Sequence, residues 1–326
     1  MTATPSASPV FVEAPARLHF GMLDLRGDLG RRFGGIGAGV REPSLLIELE
    51  ARDTITATGP DAERAAAFAR HFLQHHHISS GARITVHRAM PVHAGLGSGT
   101  QLALATARAL ADVYALPADP ASLVLAVGRG RRSAVGTWVF AHGGFVLEGG
   151  RAPSDVGPSP LLARLAVPAR WRVVLAIPRG KPGVTGEAEA AAFAALPPPP
   201  SSEVERVAHL VLMALLPALM AADLDAFGKA LTEIQCINGR WFAPAQGGLF
   251  APGETTSLVR AFSEWGATGV GQSSWGPAVY ALAGDEGAAR ELATRARTLV
   301  GDATPVIITS FDDRGARVWR ENPKKG

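Results

Sequence analysis

Apolar positions in the first hundred residues switch between two periods, and the switches mark out elements. FVEAPARLHF (11–20), SLLIELEAR (44–52) and ARITVHRAMP (82–91) are rich in β-formers with apolar and polar side chains interleaved, and predict strands. DAERAAAFARHFLQHH (61–76) spaces its apolar residues by three and four and predicts a helix. A second helix is expected from about Ser98 to Tyr114 and a third over PASLVLAVGRG (120–130); after a loop comes a short strand in GGFVLEG (143–149). Strands and helices mixed in this way imply an α+β layer arrangement.

The Pro-rich stretch 151–170 breaks the pattern, and a new strand, WRVVLAIP (171–178), follows it. The boundary between two domains is therefore expected near residue 165, giving units of 1–165 and 166–326. Beyond the proline run LPPPP (196–200), an apolar helix is expected over 201–220, kinked or ended by Pro217. Two more helices (222–236 and 252–266), a glycine-rich segment and a last helix (285–300) complete the chain, with no fixed repeat.

A length of 326 residues with 47% apolar and 19% charged residues suits two globular cores. Residues 1–9 and 321–326 have the composition of disordered tails. Net charge is only +3, from 32 Lys and Arg against 29 Asp and Glu, and the arginines are spread along the chain. That argues against a nucleic-acid face and for small anionic ligands. Cys236 is the single cysteine, which excludes an intrachain disulfide framework. No apolar run approaches the roughly 20 residues that cross a bilayer, and the N-terminus lacks the charged-then-apolar order of a secretory signal, so a soluble cytoplasmic protein is expected. A homodimer is the default expectation for assembly.

The candidate chemistry centres on PVHAGLGSGTQLALA (91–105), a strand-loop-helix transition with glycines at 95, 97 and 99. Glycines there let several N–H groups converge on one anion, Ser98 and Thr100 add hydroxyls, and the helix presents its positive end. Neither the Walker loop nor the dinucleotide fingerprint fits the string.

PVHAGLGSGTQLALA resembles the second motif of the GHMP kinase superfamily. APARLHFGMLDL (14–25) and GVGQSSWGPAVYAL (269–282) occupy the places of its first and third motifs. The resemblance implies a ribosomal-S5-like N-terminal domain, a ferredoxin-like C-terminal domain and a site in the cleft between them. It departs from the kinases in SAVGTWVFAHGG (133–144), where Gly136 stands in place of a carboxylate that would help deprotonate an alcohol, and in the first motif, which lacks the sugar-kinase core. Those departures, with RLHFGMLDLRGDLGRRFGGIGAGV and GRGRRSAVGTWVFAHGGFVLEGG, resemble the β-ribofuranosylaminobenzene 5′-phosphate synthase family of tetrahydromethanopterin biosynthesis. The resemblance implies transfer of a phosphoribosyl group from phosphoribosyl pyrophosphate to 4-aminobenzoate or 4-hydroxybenzoate, with loss of carbon dioxide and pyrophosphate. Magnesium is the implied metal. An ATP-dependent small-molecule kinase and a catalytically silent phosphometabolite binder are the competing readings.

For such a donor, Gly95, Gly97, Ser98, Gly99, Thr100 and Gln101 form one expected anion seat. Arg129, Arg131, Arg132 and Ser133, or Arg31 and Arg32, form another. Asp24, ahead of Asp28, is the expected metal carboxylate. Arg17 and His19, two apart on one strand, are expected to share a face, and one or the other is expected to meet the acceptor's carboxylate. Trp138, Phe33 and Trp275 are expected to wall the flat ring. Gln272, Ser273, Ser274 and Trp275 are expected to contact substrate from the third loop, with Gln246 and Lys181 as weaker candidates. The run His75, His76, His77 fans out around a helix end and suits no single metal, and Cys236 reads as a small buried residue.

Overall fold

A computed structural model describes residues 8–130, 132–179 and 186–320, with side chains left aside at 186–188. Two long antiparallel strands, β1 (Val10–Asp24) and β2 (Phe33–Arg52), form the spine of the first sheet. Alternate β1 residues Val10, Val12, Ala14, Ala16, Leu18 and Phe20 are fully buried, the period-two pattern expected of a strand against a core. β3 (Thr56–Thr58) and β4 (Gly81–Arg88) extend the sheet beyond β2, while β5 (Phe145–Glu148) pairs with β2's glycine-rich start and carries β6 (Leu161–Leu165). Helices α1 (Ala62–His75), α2 (Ser98–Val113), α3 (Pro120–Ala126) and α4 (Val135–His142) complete this layer. α2 is buried on almost every side from Gln101 to Val113, and its alanines let it pack closely between β1, β2, α1 and α4.

The second sheet has the order β10-β7-β9-β8, all antiparallel, from β7 (Arg172–Ala176), β8 (Thr268–Gln272), β9 (Val279–Ala283) and β10 (Val306–Ser310). α8 (Leu224–Gln246), α9 (Glu254–Glu264) and α10 (Glu286–Val300) pack against it. α10 opens on Asp285, whose carboxylate accepts from Ala288 N–H, and buries Ala289, Ala293 and Ala296 along one stripe. The last strand, β11 (Arg317–Arg320), returns to pair with β1. The second sheet begins after residue 165, but β11 belongs to the first sheet.

Several elements depart from the pattern reading. SAVGTWVFAHGG holds a helix, α4, too short for periodicity to reveal. The helix expected over 201–220 is three pieces, α6 (Ser201–Leu210), a π-helical turn (Val211–Leu215) and α7 (Leu216–Met220), preceded by α5 (Gly186–Ala195). Pro217 lacks an N–H and its ring crowds the carbonyl four residues back; the wider turn before it relieves both. α8 runs ten residues past Cys236 although Asn238, Gly239 and Pro244 disfavour helix. Tertiary contacts override propensity there: Asn238 accepts from Met22 N–H at 2.5 Å and donates to Met22 carbonyl at 3.1 Å, fastening α8 to β1.

Candidate active site

The three glycine-bearing segments meet at one buried hydroxyl. Ser273 Oγ accepts from His19 N–H at 3.0 Å and donates to Gly95 carbonyl at 2.6 Å, so it ties β1, the loop before α2 and the loop after β8 together. Gly95 sits at φ +77°, and a Cβ there would lie 2.1 Å from Ser273 carbonyl oxygen. No other residue permits that approach. Arg17 N–H donates to Leu96 carbonyl at 3.1 Å, and its guanidinium donates to Gly95 carbonyl.

Beside this junction lies a cleft of about 390 Å³. Its floor is the loop 95–99 and the N-terminus of α2, which has no side-chain cap and no acidic residue in its first turn. Its walls carry Arg17, Arg64, Arg129 and Arg132 against one carboxylate, Glu189, among the described residues. A helix N-terminus and four guanidiniums bordering one space suit a polyanion. Burial lowers the Arg17 guanidinium to about 10, with Glu189 opposing the shift, so it stays cationic at neutral pH. Arg129 is pulled down by burial and by neighbouring Arg64 and Arg132, the sign of cations crowded together without an equal number of counter-ions. Glu189 pairs with Arg132 and accepts from Trp275 Nε1 at 3.2 Å.

A second, narrower cavity adjoins the first through Ser274 and Trp275, which line both. Phe193, Phe242 and Trp275 meet edge to face at 4.8 to 5.8 Å and form its aromatic wall. His19, Gln235, Asn238, Gln246 and Gln272 supply polar edges. No carboxylate, lysine or arginine lines it among the described residues. Burial, and then the Arg17 charge, depress the His19 imidazole to about 3, so it is neutral. The slot is thus lined by a neutral imidazole, with the Arg17 cation beside it.

The expected site residues divide accordingly. Arg17, Gly95, Gly97, Ser98, Gly99, Thr100, Arg129, Arg132, Ser274 and Trp275 line the cleft, and His19, Gln246 and Gln272 line the slot. Gln101 is fully buried and donates to Gly136 carbonyl at 2.8 Å, away from the cleft. Ser273 is fully buried with both its hydrogen-bonding roles used in the clamp. Ser133 is set behind His19, 3.1 Å from Nε2. Gln272 spends its amide on Ala251 N–H, Gln246 and Ser274 carbonyl.

Asp24 and Asp28 lie on neither cavity. Asp24 accepts from Arg26 and Gly27 N–H at 2.6 and 2.9 Å and Asp28 pairs with Arg26, both serving the turn. Arg31 braces Gly149, Gly150 and Asp155, and Arg32 donates to Leu25 carbonyl, so these basic residues stabilise loops rather than the anion seat. Trp138 stacks on His142 and donates to Ser159 carbonyl on the far side of α4. Phe33 reaches the aromatic wall only indirectly, edge-on to Phe193 at 5.7 Å. Arg131 and Lys181 fall outside the described residues. Cys236 is half-buried on α8.

Sequence reading missed Arg64, Glu189, Phe193 and Phe242. Arg64 stands one turn into an ordinary amphipathic helix and Glu189 in an alanine run, so neither carries a local signal. Gly136, where the kinase carboxylate was sought, lies against α2; a Cβ there would be 3.2 Å from Thr100 Cγ2. The position is a close contact between α4 and α2.

The family model for the N-terminal domain of GHMP kinases matches residues 63–144, and that for the GHMP kinase C-terminal domain matches 215–301. A protein of Methanothermobacter thermautotrophicus named β-ribofuranosylphenol 5′-phosphate synthase is 34% identical over 94% of this chain and 98% of its own. Its namesake in Archaeoglobus fulgidus is also 34% identical, over 94% and 98%. Among solved structures, homoserine kinase from Cytophaga hutchinsonii superposes with a TM-score of 0.71 at 19% identity, over 98% of this chain and 100% of that one. L. major mevalonate kinase in complex with R-mevalonate gives 0.68 at 16%, over 97% and 100%. The fold is thus the two-domain α+β fold of GHMP kinases.

Proposed function

Since the chain belongs to the β-ribofuranosylphenol 5′-phosphate synthase family, we propose that it condenses phosphoribosyl pyrophosphate with 4-hydroxybenzoate, releasing carbon dioxide and pyrophosphate, in tetrahydromethanopterin biosynthesis. The product named in its relatives is a phenol, which favours hydroxybenzoate over aminobenzoate as the acceptor. One observation carries the reading: a four-arginine cleft opening on a helix N-terminus adjoins an aromatic slot that no charged side chain lines among the described residues. A polyanionic donor suits the first and a flat ring the second. Gly136 and the relatives' names both weigh against the kinase alternative.

As the anomeric carbon–oxygen bond breaks, negative charge grows on pyrophosphate. Arg17, Arg64, Arg129, Arg132 and the α2 N-terminus line the cleft in which that charge would grow, and would stabilise it there. The ring carbon bearing the carboxylate attacks the anomeric carbon, so that end of the acceptor faces the mouth shared by Ser274 and Trp275, within the field of Arg17. The para-hydroxyl then lies deeper, among the slot's amides and His19. Bond formation consumes the electron pair of the ring, and loss of carbon dioxide returns a pair to it. An apolar wall favours release of the neutral gas over retention of a carboxylate.

Magnesium in the cleft would take Glu189, the one carboxylate lining it among the described residues, after its release from Arg132 and Trp275, with the remaining positions falling to substrate phosphates and water. Among the described residues no group of three acidic, His or Cys side chains gathers, so no all-protein cage competes with that arrangement. When bound, the ion would neutralise the leaving pyrophosphate. Incubating purified protein with magnesium, the ribosyl donor and 4-hydroxybenzoate should yield equal amounts of carbon dioxide and pyrophosphate. ATP consumption with an alcohol, and no donor turnover, would overturn the proposal.

A further inference from the structure

A third cavity, of about 160 Å³, lies where α2, α3 and α4 meet the stretch leading into β11. It shares no lining residue with the cleft or the slot. Leu104, Leu123 and Phe140 give it a buried apolar wall, and Ala316 and Val318 line it from the β11 side, Ala316 N–H donating to Phe140 carbonyl at 2.7 Å. Two polar groups among its lining residues have no partner. Thr137 of α4 is 1% exposed, and its hydroxyl meets neither a donor nor an acceptor among the described residues. The Nε of Arg108 on α2 is buried and donates to nothing among them. Nor does Arg108 enter an ion pair there: Asp112, the one acid of α2, pairs with Arg320 at 3.2 Å. Among the described residues no acidic side chain lines the cavity.

Folded proteins leave few buried polar groups unpaired, because each has given up water without a replacement. Water filling this cavity would be poorly held. Each buried molecule needs about two to four polar partners, and every lining residue except Arg108, Thr137 and His142 is apolar. His142 is exposed and stacks on Trp138. An apolar chamber with one unpaired guanidinium and one unpaired hydroxyl complements an anion with a compact apolar body. A carboxylate matches the planar guanidinium fork. A phosphorylated sugar is set aside by the single arginine, against four in the cleft, and by a volume of about 160 Å³ against about 390 Å³ there. We propose that this cavity is a second binding site, for a small monocarboxylate with an apolar body, with Arg108 and Thr137 as its polar contacts. The site does not rest on the transferase reading.

The test is methyl NMR of the full chain titrated with benzoate, following Leu104 and Leu123, each assigned by its loss in Leu104→Met or Leu123→Met. Both sets of methyls should shift and saturate. Benzamide, equal in outline but uncharged, should bind at least about tenfold more weakly, since it forfeits the charge-assisted contact. Arg108→Met should weaken benzoate by a similar factor, and Arg108→Lys, which keeps the charge, by less. Thr137→Val, which keeps the shape and removes the hydroxyl, should weaken it too. If Arg108→Met does not fold, the comparison of benzoate with benzamide on the wild type decides. Methyls unmoved at about 10 mM benzoate, where a site of millimolar affinity would fill, would mean that water alone occupies the cavity, and would overturn the proposal. Benzamide binding as well as benzoate would overturn it equally. So would a titration unaltered in Arg108→Met, the result expected if benzoate bound in the slot and the leucines felt it through the helices.

Discussion

Ser273→Ala removes one oxygen and should loosen all three glycine-bearing segments at once. The hydroxyl is fully buried and holds His19 N–H at 3.0 Å and Gly95 carbonyl at 2.6 Å. The two partners do not lose equally. Gly95 carbonyl keeps the Arg17 guanidinium, whereas His19 N–H has no other acceptor among the described contacts. Leaving one buried donor unpaired costs about 1–3 kcal/mol, so the variant should lose about that much stability. Urea unfolding followed by circular dichroism would show it as a lower midpoint at constant slope. Because Gly95 sets the start of the anion seat, donor KM should rise while kcat changes less. Thr256→Ala, which removes an exposed hydroxyl donating to Ala251 carbonyl at 2.8 Å, serves as the control. A loss no greater than the control's, with donor KM unchanged, would refute the clamp.

Arg17→Met should raise donor KM about 10- to 100-fold, from one lost charge-assisted contact of roughly 1.5–3 kcal/mol, measured by initial rates alongside a melting curve. His19 titrates at about 3 when folded against 6.5 in the open chain, so the unfolded state binds the extra proton between those values. Stability should therefore fall as pH drops through that window, by about 1.4 kcal/mol per unit from this group, and His19→Gln should flatten that part of the profile. Asp24→Asn should leave the magnesium dependence of turnover unchanged, while Glu189→Gln should shift it to higher concentration and weaken Mn²⁺ binding measured with pyrophosphate by calorimetry. Phe242→Ala should raise acceptor KM and leave donor KM within twofold, since Phe242 lines the slot and not the cleft.

Much of this protein was legible along the chain because the signals are local. Alternation in FVEAPARLHF and SLLIELEAR specifies strands, spacing in DAERAAAFARHFLQHH a helix, and GLGSGT a tight loop opening into a helix, because each depends on neighbours a few residues away. The three motif strings were enough to place the chain among GHMP folds. What adjacency along the chain does not encode, only tertiary packing decided. Asp24 and Arg31 stand inside suggestive strings yet turn their groups onto nearby backbone, whereas Arg64 and Glu189, from unremarkable helices, are carried into the cleft. Gly136 looks like a missing acid in the sequence and proves to be a contact between α2 and α4. His19 reads as a possible cation, and its neutrality comes from burial beside Arg17. Residue type sets which interactions a side chain can make; the surroundings that fix its charge and its partner are assembled from segments as far apart as His19 and Ser273.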